Sequence, residues 1–347
     1  MLRLVAADDP PLRLPLGSDA LARPRGFHRS RPGRSRELRR RRDAVTRAAA
    51  AHSARPRLRT VMHPFLIRPV LGALLVLLAG PCLAAPRAGC GPDALGVARV
   101  IAIGGGERLA LGLQSYPRTL DLHDHEVVLT FDDGPAATTP QVLDALAREC
   151  VRATFFLIGR NAEALPDLVR REVAEGHGIG HHSYSHPDAT LRGMTEAAAE
   201  ADITRGIAAD ERAGYGTAAA VPHTPFFRFP GFADTPALRA FLGARGMTVF
   251  GSDLWASDWR VMTPEAELAL VMSRLEKARK GIILFHDSKA ATAQMLPAFL
   301  RALKARGYGV VHMVPGAGPT PVVEAPPGWT STTEAIIARL HLPERRQ

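Results

Sequence analysis

The chain has 347 residues, of which 46% are hydrophobic and 22% charged, enough for one large globular domain or two small ones. Its formal net charge of +10 would suggest a nucleic-acid partner, but residues 1–61 hold 16 arginines against 5 acidic residues. The rest of the chain is close to neutral, so its composition argues against nucleic-acid binding.

Residues 1–61 form an arginine-rich leader with little apolar periodicity. Such a segment buries too little surface to offset the entropy lost on ordering, so we expect it to be disordered or not part of the protein. Met62 opens a stretch typical of a secretory signal, with Arg68 before an apolar run and small residues at 83–85. We interpret residues 62–85 as a cleaved signal peptide, which predicts an exported bacterial protein, periplasmic or secreted.

The alternative for this segment is a retained membrane anchor with a basic cytoplasmic tail. Its apolar run, residues 70–79, is shorter than the roughly 18 residues that a spanning helix needs, and Pro81 interrupts its end. After cleavage we expect no stable membrane span.

Residues 86–122 are predicted to be an N-terminal extension. Cleavage near Ala85 would remove Cys82 and leave Cys90 and Cys150 in an oxidising compartment. A disulfide between these two is the prediction, and two unpaired thiols are the alternative.

From residue 123 to residue 316 short apolar runs alternate with longer amphipathic stretches. The predicted strands are residues 126–131, 153–158, 177–182, 226–229, 248–253, 282–286 and 309–313. The predicted helices are residues 141–149, 162–175, 195–213, 235–245, 263–279 and 290–306. Thr139 is expected to cap the first helix, with Pro140 at its first position.

Repeated βα units of this kind build a parallel sheet covered by helices, which is an α/β fold. Seven or eight units favour a closed barrel like the TIM type, and an open doubly wound sheet is the alternative. Residues 317–347 are rich in proline and threonine and are predicted to be a C-terminal tail with one short helix at 334–340.

Polar residues cluster where the first and third predicted strands end, the edge at which α/β folds build their sites. Asp132 and Asp133 end the first strand, and His182 and His186 follow the third. An isolated acid pair is usually a solvated turn, and a lone pair of histidines four apart is a weak signal. If the strand end curls into a helical turn, both imidazoles face one point. Two histidines and a carboxylate are a donor set used for catalytic zinc.

Further polar residues follow the next three strands. Arg228 follows the fourth, Asp253 and Asp258 follow the fifth, and His286 ends the sixth. The arginine alone would be a solvated surface residue and the last histidine a satisfied core residue. Four polar strand ends on one edge favour an active site instead.

These motifs together resemble the polysaccharide deacetylases, carbohydrate esterase family four, also called the NodB homology domain. The resemblance runs from about residue 126 to residue 314 and implies a distorted (β/α)7 barrel, with residues 123–316 as its extent. The matching motifs are TFDDGP at 130–135, HSYSH at 182–186, Arg228 with Pro230, SDW at 257–259 and LFH at 284–286.

The resemblance assigns the central roles of a metal-dependent hydrolase. Asp133, His182 and His186 would bind Zn²⁺ or another divalent transition metal, which activates water and polarises the acetyl carbonyl. Asp132 would be the general base and His286 the general acid that protonates the leaving amine.

The same resemblance assigns supporting roles. Arg228 would orient the base and Asp258 would hold and tune the acid. The backbone N–H near Gly231 would stabilise the oxyanion. Trp259 and Leu284 would wall the acetyl pocket, with ordinary core packing as the alternative.

The third motif departs from the family pattern. Phe229 replaces a proline, and Gly231 stands where an aromatic residue is common, so an aromatic wall over the sugar is missing or comes from Phe232. His181 stands where asparagine is frequent. Strand alternation turns it away from His182, so we do not expect it to be a ligand.

The implied function is removal of N-acetyl groups from a GlcNAc-containing polysaccharide or oligosaccharide, so the expected partner is an acetylated glycan. Chitooligosaccharide, peptidoglycan and poly-GlcNAc all stay open, and the sequence demands no protein partner. The alternatives are an O-acetyl esterase on an acetylated glycan such as xylan, and a barrel that binds glycans without turnover. The presence of both Asp132 and His286 argues against the second alternative.

Overall fold

The computed structural model describes residues 90–91, 93–104 and 109–339, and the structural statements below concern these residues. The predicted leader and signal peptide lie outside them, as do the first residues of the extension and the last residues of the tail. The strands are β1 (Arg99–Gly104), β2 (Ala110–Leu111), β3 (Arg118–Leu120), β4 (Glu126–Asp132), β5 (Thr154–Leu157), β6 (Gly178–His181), β7 (Phe226–Phe227), β8 (Thr248–Phe250), β9 (Leu254–Trp255), β10 (Gly281–His286), β11 (Gly309–Gly316) and β12 (Val322–Glu324).

Eight α-helices are described. They are α1 (Thr139–Arg148), α2 (Gly159–Ala164), α3 (Pro166–Ala174), α4 (Glu196–Tyr215), α5 (Pro236–Gly243), α6 (Pro264–Ala278), α7 (Ala290–Ala305) and α8 (Thr332–Arg339). None of these described helices has the combination of length and apolar character that crossing a bilayer requires.

Ten strands form one sheet in the order β1-β11-β4-β5-β6-β7-β8-β2, and β10 lies between β4 and β9. Every pairing within this sheet is parallel. The predicted α/β fold is therefore confirmed. The described pairings do not close the sheet into a ring, because none joins β9 to β8, so the architecture is a distorted and incompletely closed barrel.

The central strand β4 is buried on both faces, as a parallel strand covered by helices must be. Alternate residues Val127, Leu129 and Phe131 belong to the core beneath the helices. Val128 lies in the second cluster, on the opposite face of the strand. Asp132 shares that opposite face, because side chains alternate along a strand.

Several helices begin as the sequence predicts. The side chains of Thr195, Thr235 and Thr263 each accept a hydrogen bond from a backbone N–H in the first turn of the helix that follows. The prediction that Thr139 caps the first helix is wrong. The N-cap is Thr138, and the Thr139 hydroxyl donates instead to the buried carboxylate of Asp287.

Two other predicted elements differ from those in the structure. The single helix predicted at 162–175 is broken into α2 and α3 at Pro166, because a proline inside a helix lacks the N–H for the next hydrogen bond. The strand predicted at 248–253 ends early, at Phe250, as β8, and the short strand β9 follows it outside the predicted range.

The described parts of the extension and the tail pack into the barrel. In the extension, β1 pairs with β11 along six residues, and β3 pairs antiparallel with β12 of the tail. A disulfide joins Cys90 to Cys150 at the end of the first βα unit. Strand β11 was predicted from the sequence, whereas β1, β3 and β12 were not.

Candidate functional site

The register of the sheet brings the predicted site residues to one edge. Asp132 at the end of β4 lies directly opposite His286 at the end of β10. His181 ends β6 and pairs with Phe227, so Arg228 follows immediately at the same level. Because all these strands are parallel, their polar carboxyl ends face a common space.

Asp133, His182 and His186 converge at this edge. Their ligand atoms all lie within 4.8 Å of one another. Oδ1 of Asp133 is 3.6 Å from Nε2 of His182 and 3.4 Å from Nε2 of His186. That oxygen is buried and has no hydrogen-bond donor among the described residues. Two imidazoles around an unpartnered carboxylate oxygen fit a divalent cation such as zinc.

His182 is held in the form that a metal ligand needs. Its Nδ1 donates to the carbonyl oxygen of Arg228 at 2.7 Å, which leaves the lone pair of Nε2 facing Asp133. Burial lowers the pKa of His182 to about 4, so the imidazole is neutral near pH 7.

Asp133 is ionised in the same setting. Burial acts to raise its pKa, but the imidazoles of His286, His182 and His186 outweigh burial and hold the pKa below its usual value. The cluster therefore presents an anionic carboxylate beside a neutral imidazole, the protonation states that cation binding requires.

The two histidines do not lie on a helical turn, which was the sequence-based expectation for how both imidazoles would face one point. The backbone is in the left-handed region at Ser183 and His186, with φ of 67° and 45°, and at Asp133, with φ of 72°. This conformation is unfavourable for residues other than glycine and is concentrated at functional sites. An irregular loop therefore aims the imidazoles.

Asp132 lies beside this cluster and is fixed by Arg228. The guanidinium is fully buried and donates from Nη1 to Oδ1 of Asp132 at 2.7 Å and to Oγ1 of Thr130 at 2.9 Å. Its other face covers the ring of Phe156 at 4.2 Å. The second carboxylate oxygen of Asp132, Oδ2, faces Nε2 of His182 at a distance of 3.8 Å.

His286 stands on the other side of Asp133 and is held by Asp258. Its Nδ1 and its backbone N–H each donate to one oxygen of Asp258, both at 2.7 Å. Its Nε2 lies 3.9 Å from Oδ2 of Asp133. Burial acts to lower the pKa of His286, but Asp258 and the neighbouring carboxylates outweigh it and raise the pKa to about 10. The ring is therefore an imidazolium that presents an acidic proton at Nε2.

Aromatic rings line the space next to His286. The ring of Trp259 meets it edge-on with centroids 6.2 Å apart, Trp255 meets Trp259 at 5.7 Å, and Phe232 stacks on Trp255 at 6.2 Å. Leu284 is buried in β10 opposite Trp255. Trp255 was not singled out in the sequence, because a tryptophan inside an apolar run is indistinguishable from a core residue.

Gly231 lies in the exposed loop that carries Phe232 over the site. Its φ of 59° is in the left-handed region, and a side chain there would approach Thr190.

His181 points away from the cluster, where its Nδ1 contacts the buried Asp210 at 2.8 Å. Asp253, another polar residue after the fifth predicted strand, accepts backbone N–H groups of Leu113 and Ile282 and so serves the framework.

Residues 120–249 match the sequence profile of a family described as polysaccharide deacetylase. The chain is 36% identical over 185 residues to a peptidoglycan-N-acetylglucosamine deacetylase of Bacillus cereus, covering 52% of this chain and 66% of that protein. It is 31% identical over 215 residues to a chitin deacetylase of Colletotrichum lindemuthianum, covering 58% of this chain and 82% of that protein.

The fold is also similar to a solved structure, a peptidoglycan deacetylase of Bdellovibrio bacteriovorus. The TM-score is 0.55 at 29% identity, covering 72% of this chain and 66% of that chain. This chain thus spans slightly less than two thirds of both the Bacillus and the Bdellovibrio proteins.

Proposed function

The chain belongs to the polysaccharide deacetylase family, and from this premise we propose that it removes N-acetyl groups from a GlcNAc-containing polysaccharide or oligosaccharide in a metal-dependent hydrolysis. One observation carries the proposal. The cluster of Asp133, His182 and His186 lies between a carboxylate fixed by an arginine and an imidazolium fixed by a carboxylate.

In this proposal Asp133, His182 and His186 hold a divalent cation, with zinc as the first choice because of the two imidazole donors. When bound, the cation supplies Lewis-acid chemistry, which favours ionisation of water and polarisation of an acyl carbonyl.

Asp132 is proposed as the general base that removes a proton from the attacking water. Arg228 occupies its Oδ1 with a charge-assisted hydrogen bond, so Oδ2 is the oxygen available for the proton. Arg228 itself cannot turn away, because its other donors are used by Thr130 and by the carbonyl of Gly251.

His286 is proposed as the general acid. Its Nδ1–H is engaged by Asp258, so the proton given to the leaving nitrogen comes from Nε2, the atom that faces Asp133. Loss of that proton leaves a neutral ring that still donates from Nδ1.

The backbone N–H at Gly231 is proposed to stabilise the oxyanion, and Trp259 with Leu284 to enclose the acetyl methyl.

We further propose that the protein is exported and that peptidoglycan is the first substrate to test. The disulfide between Cys90 and Cys150 supports an oxidising compartment. The similarity to peptidoglycan deacetylases of Bacillus and Bdellovibrio supports a cell-wall glycan, and the similarity to a chitin deacetylase of Colletotrichum keeps chitin as a second substrate class.

The experiment is acetate release by the purified zinc-loaded protein from peptidoglycan, chitooligosaccharide and acetylated xylan, each with and without a chelator. We expect acetate from at least one N-acetylated glycan and none after chelation. Release from xylan alone would indicate the O-acetyl esterase instead. Glycan binding without acetate release would indicate a barrel that binds but does not react.

A further inference from the structure

A second carboxyl group lies behind the pair formed by His286 and Asp258. Oδ2 of Asp258 is 2.8 Å from Oγ1 of Thr292, and the same hydroxyl oxygen is 2.9 Å from Oε1 of Glu267. Thr292 and Glu267 are completely buried, and Asp258 is 6% exposed. Helix α6 contributes Glu267 and helix α7 contributes Thr292, so a chain of hydrogen bonds reaches from the candidate acid into the helical layer.

Hydrogen counting decides where the protons are. A threonine hydroxyl has one hydrogen and can donate to one carboxyl group only, so a second hydrogen has to come from one of the two acids. Asp258 already accepts two N–H groups of His286 and is therefore ionised. Oε2 of Glu267 has no hydrogen-bond partner in the described part of the chain. Two ionised carboxylates around one buried hydroxyl would leave an unfavourable contact between oxygens.

We propose that Glu267 is a protonated positioning residue, whose carboxyl O–H donates to Thr292 so that the Thr292 hydroxyl donates to Asp258 and fixes the partner of His286. Its effect on turnover rests on the proposed function of His286. The protonation state itself does not.

The charges around Glu267 agree with this arrangement. Burial, followed by the negative charge of Asp258, raises the pKa of Glu267 to about 7, although Thr292 and the positive charge of His286 act in the opposite direction. Ionisation of Glu267 would place a second negative charge beside Asp258 and force Thr292 to choose between two carboxylates. His286 would then hold its proton more tightly and be less well oriented.

The protonation state is tested by infrared difference spectroscopy on the intact zinc-loaded protein against Glu267→Gln. At about pH 5.5 we expect the wild type to show a carbonyl band of a protonated carboxyl group that the variant lacks. By about pH 8.5 this band should have disappeared from the wild-type spectrum, because Glu267 is then ionised. Other buried acids contribute equally to both spectra and cancel. Identical spectra at low pH would overturn the proposal, whether or not the protein deacetylates anything.

The positioning role is tested by kinetics across the same pH range. Glu267→Leu and Thr292→Val should each lower kcat by roughly 3- to 10-fold, with KM and zinc content unchanged. Glu267→Gln should restore most of kcat, since its amide N–H donates to Thr292, and its kcat relative to wild type should rise with pH. Glu265→Gln, an exposed acid on the same helix, is the matched control and should change nothing. A Glu267→Gln variant as impaired as Glu267→Leu, or with a pH profile parallel to wild type, would overturn the role.

Discussion

Asp132 and Asp133 are neighbours in the chain but have different surroundings. Asp132 is 2% exposed and bonded to a buried guanidinium, whereas Asp133 turns its Oδ1 toward two imidazoles. The change to a left-handed backbone at Asp133 separates the two carboxylates. Adjacent residues of one type can therefore serve as a base and a ligand.

Replacing Asp132 by asparagine should abolish most of the turnover and leave zinc binding intact. A general base typically contributes 10²- to 10⁴-fold, so we expect a loss of about that size in kcat. The variant should also lose stability, because Arg228 stays buried with a neutral partner. Zinc content, kcat and urea unfolding measure the three effects, with the exposed Asp188→Asn as control. Wild-type turnover in Asp132→Asn would show that another residue is the base.

Replacing His182 by alanine should weaken zinc binding by at least tenfold, because it removes one of three donors. The matched control is His181→Gln, which alters the adjacent imidazole, whose contact is Asp210 on the opposite side. This control should keep its zinc. Equilibrium dialysis with a zinc indicator measures both variants. A His182→Ala protein with stoichiometric, undiminished zinc affinity would remove this residue from the proposed ligand set.

At the scale of elements, the loop around Gly231 is held by a buried charge. Asp234 accepts the hydroxyl of Tyr116 at 2.7 Å and the guanidinium of Arg239 at 2.8 and 2.9 Å. Its carbonyl accepts Nε of Arg192 at 2.8 Å. These partners come from the extension, helix α5 and the turn before helix α4, so several segments fix one loop. The sequence offers no signal for this contact, since the partners are far apart along the chain.

Replacing Tyr116 by phenylalanine should leave one oxygen of Asp234 with fewer donors and loosen the loop. We expect a loss of about 1–3 kcal/mol in the free energy of unfolding together with a fall in kcat. Tyr308→Phe is the control, because its hydroxyl donates to the carbonyl of Leu275 away from the loop. It should lose stability without losing kcat. Equal kcat values in Tyr116→Phe and Tyr308→Phe would show that the contact between Tyr116 and Asp234 has no effect on turnover.

The elements that were predicted well are those with strong local signals. Strands β4 and β10 are continuous apolar runs, and the helices with threonine caps start where expected. Strands β2 and β9 have two residues each and carry no periodicity. These two strands form because they pair with parallel strands that are distant in the chain, and such pairing cannot be predicted from the local sequence.

The candidate site was predictable for a related reason. Parallel strands bring their carboxyl ends to one edge, so the order of the predicted strands alone places the residues at their ends together. The supporting contacts were not predictable. Thr292 and Glu267 lie on helices whose periodicity assigns them only to a buried face.

At the scale of the whole molecule, the described terminal segments are part of the fold. Strand β1 adds to the sheet beside β11, β12 pairs with β3, and the disulfide between Cys90 and Cys150 closes a loop of 60 residues. Both segments were expected to lie outside the barrel, the first as an N-terminal extension and the second as a tail rich in proline and threonine with one short helix.

The stability of the whole molecule should fall with rising pH through Glu172. This residue is completely buried, and neither carboxyl oxygen has a hydrogen-bond partner among the described residues. Burial, with the negative charges of Asp287 and Glu175, raises its pKa well above the usual value, and Asp210 is a further acid nearby. The unfolded chain therefore ionises at lower pH than the folded protein, so stabilisation present at low pH is lost as pH rises toward the raised pKa.

Urea unfolding of the wild type and Glu172→Gln tests this dependence. Between about pH 5 and pH 8 the free energy of unfolding should shift in favour of the variant by more than about 1 kcal/mol, since each unit of pKa shift corresponds to about 1.4 kcal/mol. The exposed Glu265→Gln should follow the wild type at both pH values. A constant difference between wild type and Glu172→Gln would mean that Glu172 titrates normally.

The central claim is that Asp133, His182 and His186 bind one divalent ion beside Asp132. Anomalous X-ray diffraction at the zinc edge, from crystals of the protein grown with zinc, tests it most directly. We predict one strong peak in contact with Oδ1 of Asp133 and Nε2 of both histidines, at zinc–ligand distances of about 2.0–2.2 Å. A zinc peak bound by other residues, or no peak at this cluster at saturating zinc, would contradict the account.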